Sequence, residues 1–512
     1  MRDILFAAVF PVGSLTDAYF LAFRIPNLLR DLFAEGALSN AFVPTFSEAL
    51  IRDGKARAFQ VGNLILTGAI LVTSTITLLA VLFARPITAL LSGGFQGEEG
   101  ALDLATMLAR IMMPILILIS VSAVFMGMLN AQRRFTAPAY APALFNVTSI
   151  IAGIGLWMAE ARGEGGMLIW SLATLTAAVV QAFCQLPSLW RLGFRPRLDA
   201  TGLWRDPAVR RVLRLMAPAA IGLAAIQINV FTNTYFASRL DPGSLSLLQY
   251  AFRLFYLPIG VFGVALAVVT TSRVADEAAR GDREALLART AEGARAVWML
   301  ATASSVGLLV LAEPVIMVLF ERGMFGADQT WDTVPILQAY MLGVLPYSLV
   351  KIYAPGFYSL DRPRIPMVAS MVAVVTNVTF NALTYQKLGA PGLALGTTLG
   401  AIVNGTILRV SFGRLIGAPV SGSRWRQLFA LGLANVVLAG VAGSVWRGGR
   451  LLFAPPGKGL EGGLAAVWLA LTITAGFLAY AGMLRLLRYP GGEELLRMPT
   501  RVLSRLLGRR RR

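Results

Sequence analysis

Long apolar runs separated by short polar loops fill almost the whole sequence of 512 residues. An α-helix rises about 1.5 Å per residue, so about 20 apolar residues cross the roughly 30 Å hydrocarbon core of a bilayer. The pattern therefore predicts an all-α polytopic membrane protein. Its clearest predicted spans are 61–84, 111–129, 143–159, 167–187, 212–236, 247–271, 296–320, 333–354, 366–386, 390–410, 427–445 and 463–484.

A more polar span is predicted at residues 17–48, where five charged residues interrupt membrane-like sequence. They are Asp17, Arg24, Arg30, Asp31 and Glu35. A charged side chain at bilayer depth costs roughly 3 kcal/mol, so such residues usually face a water-filled cavity or a partner. We therefore expect function to reside in this segment. The alternative is that its arginines form structural salt bridges with nearby carboxylates.

The net charge of +19 accompanies a composition that is 56% hydrophobic and only 14% charged. Nucleic-acid binding would need basic residues clustered on a folded soluble face, whereas here they occupy every second loop between apolar runs. That alternation follows the positive-inside rule. It predicts that the basic loops and the C-terminus are cytoplasmic, and that nucleic acid is not a partner.

The start of the sequence predicts an incomplete helix, because the apolar stretch 4–12 is too short to cross a bilayer. A basic segment followed by a cleavage site is missing there, which argues against a signal peptide. We expect the natural chain to begin about 20 residues upstream, the length that completes a first membrane span.

An internal repeat organises the sequence. The tripeptide AFR at 22–24 recurs at 251–253, and NVT at 146–148 recurs at 377–379, so both pairs are about 230 residues apart. This offset predicts two pseudo-symmetric six-helix lobes. Two similar lobes around a central cavity are typical of alternating-access transporters.

The repeat and the loops predict five regions. An N-terminal lobe, a basic cytoplasmic linker, a C-terminal lobe, a final helix pair and a basic cytoplasmic tail are expected at 1–190, 191–211, 212–415, 424–488 and 489–512, respectively.

The side-chain inventory argues against catalysis. The chain has no histidine and a single cysteine, Cys184, which excludes histidine bases, histidine-ligated metals and disulfides. The sequence GxxxxGK[ST], which cradles nucleotide phosphates, is also absent. We therefore predict a transporter that needs no cofactor. Arginines in its cavity suit an anion, because guanidinium forks match phosphate oxygens and stay charged.

Four segments, in order, resemble the MurJ (MviN) family of lipid II flippases, within the multidrug/oligosaccharidyl-lipid/polysaccharide exporter superfamily. They are DAYFLAFRIPNLLRDLFAEGALSNAFVP (17–44), NAQRRFTAPAYAP (130–142), YAFRLFYLPIGVFGVAL (250–266) and LVKIYAPGFYS (349–359). The resemblance implies fourteen helices, of which the last two form a lipid-tail groove with the second lobe. It also implies a monomer in the bacterial inner membrane. Its expected partners are membrane lipids and lipid II, an undecaprenyl-diphosphate-linked glycopeptide exported to the outer leaflet for peptidoglycan synthesis.

The resemblance assigns roles to individual residues. Arg2, Arg30 and Arg253 match arginines that bind the diphosphate, and Arg24 matches a general cationic contact. Three acids match gating or ion-pairing positions: Asp3 and Asp17, which would orient arginines and pair to close the outward gate, and Glu35. A family arginine upstream of Arg2 has no counterpart in this sequence.

The sequence leaves two candidates for the driving force of transport, a sodium ion and the membrane potential. Some family members coordinate sodium with carboxylates, whereas the comparable positions here are Asn377, Asn381 and Thr397. Hard cations prefer anionic oxygen. The competing drive is the membrane potential, worth roughly 2.3 kcal/mol per charge per 100 mV.

Three other functions remain as alternatives. A flippase for another polyprenyl-diphosphate oligosaccharide would share the repeat. A drug or cation antiporter of the same superfamily would be expected to line its cavity with acids and aromatic residues. A non-transporting scaffold could use the basic tail at 498–512, although that tail also fits a helix lying on anionic lipid.

Overall fold

The computed structural model describes residues 1–30, 37–93, 100–360, 362–417, 424–453, 462–493 and 495. These residues form helices joined by short loops, and no strand ladder occurs within the described ranges. The predicted all-α membrane fold is confirmed. Glu35 lies outside the described residues.

In the described part of the chain, ten helices precede residue 200. They are α1 (Arg2–Val9), α2 (Ser14–Arg30), α3 (Ala37–Arg52), α4 (Gly54–Leu82), α5 (Ala84–Ser92), α6 (Ala101–Met112), α7 (Ile115–Ala131), α8 (Thr136–Met158), α9 (Glu164–Phe183) and α10 (Leu186–Arg191).

The helices that follow include a π-helical turn at Ile259–Val264, which joins α12 to α13. They are α11 (Pro207–Ala237), α12 (Ser244–Pro258), α13 (Ala265–Ala279), α14 (Arg283–Val310), α15 (Ala312–Phe320), α16 (Ala327–Met341), α17 (Val344–Ser359), α18 (Arg364–Ile416), α19 (Arg424–Phe453) and α20 (Gly462–Leu486).

The order of the elements shows the predicted repeat. Long α4 is followed by short α5, and about 230 residues later long α14 is followed by short α15. The pairs α6–α7 and α16–α17 continue the correspondence. α18 bends sharply at Gly389, whose φ of +57° is a left-handed conformation that suits glycine. The two arms of α18 therefore correspond to the separate helices α8 and α9.

Ten helices of the described chain are long and apolar enough to cross a membrane. The predicted span at 296–320 is wrong in its limits. Residues 296–320 were expected to form one span, but the membrane helix there is α14, which begins at Arg283, and α15 is a separate short helix. Hydropathy detects only the apolar part of α14, whereas the Glu, Leu, Ala and Arg residues of its first turns are good helix formers that extend it into water.

The described residues pack into two compact units, 1–246 with 322–326, and 247–321 with 327–512. α11 belongs to the first unit. The Asp206 carboxylate just before it accepts a hydrogen bond from Arg57 at 2.7 Å, and Arg211 forms a salt bridge with Glu48. The boundary between the units therefore lies after α11, between residues 246 and 247, whereas the second copy of the repeat begins with α11.

The final helix pair packs on α14 in the second unit. The Tyr480 hydroxyl donates a hydrogen bond to the carbonyl oxygen of Met299 at 2.7 Å. The Asn435 amide donates to the Thr302 hydroxyl at 3.2 Å. Leu431 and Leu484 are buried in the same apolar cluster, so α19 and α20 are integral to this unit.

Candidate functional site

Arg2 and Asp3 form an ion pair at the start of α1. Asp3 Oδ1 accepts hydrogen bonds from Arg2 Nε at 3.0 Å and from Nη2 at 2.9 Å. The guanidinium carbon also lies 6.0 Å from the ring centre of Phe23 and 5.8 Å from that of Phe145. A carboxylate and two ring faces together stabilise a cation at a site where Arg2 is only 17% exposed. Asp3 therefore holds an arginine here, and its gating role stays a prediction.

Arg24 is half-buried on α2 and faces α11 of the same unit. Its Nε donates a hydrogen bond to the hydroxyl of Thr234 at 3.3 Å. That hydroxyl in turn donates to the carbonyl oxygen of Val230 at 2.8 Å, which fixes its orientation. α11 thus positions the guanidinium of Arg24.

Arg30 is the last residue of α2 and is half-buried. A positive charge is favourable at a helix C-terminus, where the carbonyl dipoles point. Arg30 therefore stabilises the end of α2, and its part in binding the diphosphate stays a prediction.

The hydrogen-bond partners of Asp17 differ from those that its expected role requires. Its buried carboxylate accepts hydrogen bonds from the backbone N–H of Gly243 and of Ser246, both at 2.8 Å, and from the Ser246 hydroxyl at 2.5 Å. Within the described part of the chain, none of its partners is an arginine. In this structure the start of α12 holds the Asp17 carboxylate, and its role in orienting an arginine and closing the outward gate stays a prediction. The unsatisfied N–H groups at the start of α12 attract the carboxylate instead.

Arg253 lies on α12 and is exposed. The helix continues beyond Pro258 as the π-helical turn, because proline offers no N–H to the regular ladder. Gly263 in that turn approaches α17 closely, since a Cβ there would lie 3.0 Å from the Ser348 hydroxyl oxygen. Such turns are frequent at functional sites.

Lys351 on α17 was not singled out from the sequence. It is half-buried, and its Nζ lies 5.7 Å from the ring centre of Tyr347. Tyr347 in turn packs edge-on against Phe255 of α12. No carboxylate among the described residues forms a salt bridge with Lys351. A lone lysine within the motif LVKIYAPGFYS was the available signal, because an intramembrane cation is a functional candidate by default.

The proposed sodium ligands form an interhelical link within α18. Asn377 and Asn381 are fully buried on the first arm, and the Asn381 amide donates to Asn377 Oδ1 at 3.3 Å. The Asn377 amide donates to Thr397 Oγ1 on the second arm at 3.4 Å. In the described ranges, no cluster of three or more histidine, cysteine or acidic residues could hold a metal. The oxygens available are thus neutral, and sodium binding stays a prediction.

Comparison with known proteins assigns a family. The family model described as "Lipid II flippase MurJ" matches residues 6–456. The probable lipid II flippase MurJ of Bdellovibrio bacteriovorus is 32% identical over 503 residues, which cover 97% of this chain and 92% of that protein.

Solved structures share the fold. A lipid II flippase MurJ in an inward closed conformation superposes with a TM-score of 0.77 at 24% identity, covering 94% of each chain. An inward-facing multidrug resistance MATE transporter of the MOP superfamily superposes with a TM-score of 0.64 at 18% identity, covering 82% of this chain and 95% of the other. The family model and the relative extend over nearly the full length, and the chain therefore belongs to the MurJ family of lipid II flippases.

Proposed function

We propose that this protein is a lipid II flippase of the bacterial inner membrane. It translocates the undecaprenyl-diphosphate-linked peptidoglycan precursor from the cytoplasmic to the periplasmic leaflet by alternating access, as a monomer with a cytoplasmic C-terminus. Family membership supports the substrate. The repeated six-helix organisation supports the alternating-access mechanism.

One observation carries the assignment of the diphosphate contacts. The repeated tripeptide AFR places Arg24 on α2 and Arg253 on α12, at equivalent positions of the two copies. An arginine on a membrane helix is costly unless it serves a ligand or partner. Its planar fork binds two phosphate oxygens and keeps its charge in a low dielectric. Each copy would therefore contribute one guanidinium to the diphosphate, with Arg2, Arg30 and Lys351 as further cations.

The sign of the charge separates this proposal from a cation antiporter. The described residues of α12 and α17 include Arg253 and Lys351 but no acid. On α2, the one carboxylate is that of Asp17, and it is already bound to Gly243 and Ser246. These helices thus offer positive charge to a ligand, which favours an anion over an organic cation.

The experiment is a translocation assay on the full chain in liposomes that contain fluorescent lipid II. A membrane-impermeant reagent reports the fraction of lipid II that reaches the opposite leaflet. The wild type should accelerate translocation above protein-free liposomes, and the variant Arg24→Ala/Arg253→Ala should not. Excess unlabelled lipid II should compete, whereas an organic cation should not.

Two results would contradict the proposal. If the double variant transports lipid II as fast as the wild type, these arginines do not bind the diphosphate. If another polyprenyl-diphosphate glycan competes better than lipid II, the substrate is wrong although the diphosphate chemistry stands.

A further inference from the structure

Two aromatic rings from different helices flank the guanidinium of Arg2. Arg2 begins α1, whereas Phe23 lies on α2 and Phe145 on α8. The guanidinium carbon is 6.0 Å from the centre of the Phe23 ring and 5.8 Å from that of the Phe145 ring. Asp3 Oδ1 accepts hydrogen bonds from Nε and Nη2, whereas Nη1 has no acceptor among the described residues. The carboxylate therefore holds one edge of the guanidinium, and Nη1 is left to donate to a ligand.

The Phe23 ring is fixed by contacts that lead to α9. It stacks on the ring of Tyr19, one turn earlier on α2, with centres 5.8 Å apart and planes inclined by 7°. Tyr19 is buried, and its hydroxyl lies 3.4 Å from the hydroxyl of Thr174 on α9. The Thr174 hydroxyl also donates a hydrogen bond to the carbonyl oxygen of Trp170 at 2.9 Å. The position of Phe23 is therefore set by the packing of α2 on α9.

The Phe145 ring is brought to Arg2 by the close packing of α8 on α1. Gly153 of α8 marks this approach, since a Cβ there would lie 3.3 Å from the Cβ of Leu5 and 2.9 Å from the ring of Trp170. A side chain at that position would push α8 away from α1. Phe145 itself is half-buried on α8. The two rings beside Arg2 thus come from separate helices, each held by its own contacts.

This arrangement limits the freedom of a long side chain before any ligand arrives. An arginine that is already held in place loses less rotamer freedom on binding a ligand than one that moves freely. The face of an aromatic ring attracts a cation, and the attraction grows where water is excluded. Arg2 meets that condition, because only 17% of its side chain is exposed.

We infer that Phe145 and Phe23 are positioning residues for substrate binding. They keep the guanidinium of Arg2 against Asp3, so that Nη1 remains available to an oxygen of the diphosphate. This inference rests on the proposed function, in which Arg2 is one of the cations that bind the diphosphate. Neither phenylalanine carries charge, so removing a ring weakens substrate binding while every cation stays in the protein.

The test measures the rate of lipid II translocation by the full chain in liposomes as a function of lipid II concentration. Phe145→Leu keeps an apolar side chain but removes the ring face, and it should raise the half-saturating concentration about five-fold, the effect of one cation–π contact. The maximal rate should change by less than about two-fold, because the arginine itself remains. Phe145→Tyr keeps the ring and should bind nearly as well as the wild type. The matched control is Phe183→Leu, the same substitution at an exposed ring on α9, and it should bind as the wild type does.

A double-mutant cycle separates positioning from packing. If Phe145 acts only through Arg2, the variant Arg2→Ala/Phe145→Leu should have the same half-saturating concentration as Arg2→Ala alone. Additive effects of the two substitutions would overturn the inference. If Arg2→Ala weakens binding and Phe145→Leu does not, the inference fails and the proposed function stands. If Arg2→Ala has no effect, the diphosphate contact of Arg2 fails and the inference fails with it.

A series of fluorinated phenylalanines at position 145 keeps the test valid even if Phe145→Leu fails to fold. Each added fluorine withdraws electron density from the ring face at nearly constant shape, which weakens its attraction for a cation. The half-saturating concentration of lipid II should therefore rise step by step with the number of fluorines. A constant value across the series would overturn the role of the ring.

Discussion

α2 and α12 occupy equivalent places in the two copies of the repeat, but they carry different charges. The spacing that relates Arg24 to Arg253 also relates Asp17 to Ser246. In the structure these last two residues are bonded to each other, since the Ser246 hydroxyl and N–H both donate to the Asp17 carboxylate. The duplicated position has thus become an acceptor in one copy and a donor in the other.

The remaining cations are also distributed differently. By the same spacing, Arg30 of α2 corresponds to Ile259, where the π-helical turn begins. Lys351 of α17 corresponds to Ser122 of α7, which accepts a hydrogen bond from the Gln185 amide at 2.9 Å. The first copy therefore carries two of its candidate cations on α2 and one, Arg2, on α1, whereas the second carries one each on α12 and α17. Only the arginine of the AFR step is common to both.

The largest expected effect concerns the hydrogen bonds that join Asp17 to Gly243 and Ser246. Asp17→Ala should lower the free energy of unfolding by about 3 kcal/mol, because the buried N–H groups of Gly243 and Ser246 lose a charged acceptor. Asp17→Asn should cost less, since its amide oxygen still accepts. Denaturant unfolding in detergent micelles measures both. Asp328→Ala, which removes an exposed acid from the first turn of α16, is the control and should cost less than about 1 kcal/mol, the scale of one charge in the helix dipole. An alanine variant as stable as the wild type would refute the capping role.

The second prediction contrasts the two arginines of the AFR step. Arg253→Ala should slow lipid II translocation about thirty-fold, the scale of one lost charge-assisted contact of about 2 kcal/mol. Its unfolding free energy should fall less than that of Arg24→Ala, because the Arg253 side chain is the more exposed of the two. Arg24→Ala should slow translocation and also destabilise the protein, since its bond to Thr234 links α2 to α11. Translocation rates and unfolding curves on the same preparations separate the two. Equal losses of stability in Arg24→Ala and Arg253→Ala would contradict this difference between the two arginines.

The sequence predicted the helical fold and the repeat, because hydropathy and a constant offset report them directly. Helix limits were less accessible, as α14 shows, since polar residues continue a helix beyond its apolar part. The partner of Asp17 could not be predicted at all. Its carboxylate meets a helix start more than 200 residues away, and only tertiary packing brings such groups together.

The arginines of the candidate site could be proposed from the sequence, because a charged side chain within an apolar run carries a high free-energy cost at bilayer depth. Lys351 has the same signal, since it is the one charged residue in the motif LVKIYAPGFYS.

The third prediction concerns Lys351, the cation that the second copy adds. Lys351→Met should slow lipid II translocation about ten-fold, less than Arg253→Ala, because a point charge on a flexible stem binds phosphate with less directional contact than a guanidinium. Stability should be kept or raised, since methionine removes a desolvated charge from α17. Lys387→Met, at an exposed position of α18, is the matched control. If both lysine variants behave alike, Lys351 has no part in substrate binding.

The smallest effect concerns the coupling ion and the link within α18. Asn377, Asn381 and Thr397 offer neutral oxygens that already bond to each other, and sodium favours anionic ones. Exchanging sodium for potassium at constant membrane potential should therefore change lipid II translocation less than two-fold. Collapsing the potential with an ionophore should have the larger effect, because moving one charge across 100 mV is worth roughly 2.3 kcal/mol. A strict sodium requirement that Asn377→Ala removes would instead show that the amides of the second copy bind the coupling ion, and the two copies would then differ in their drive as well as in their charge.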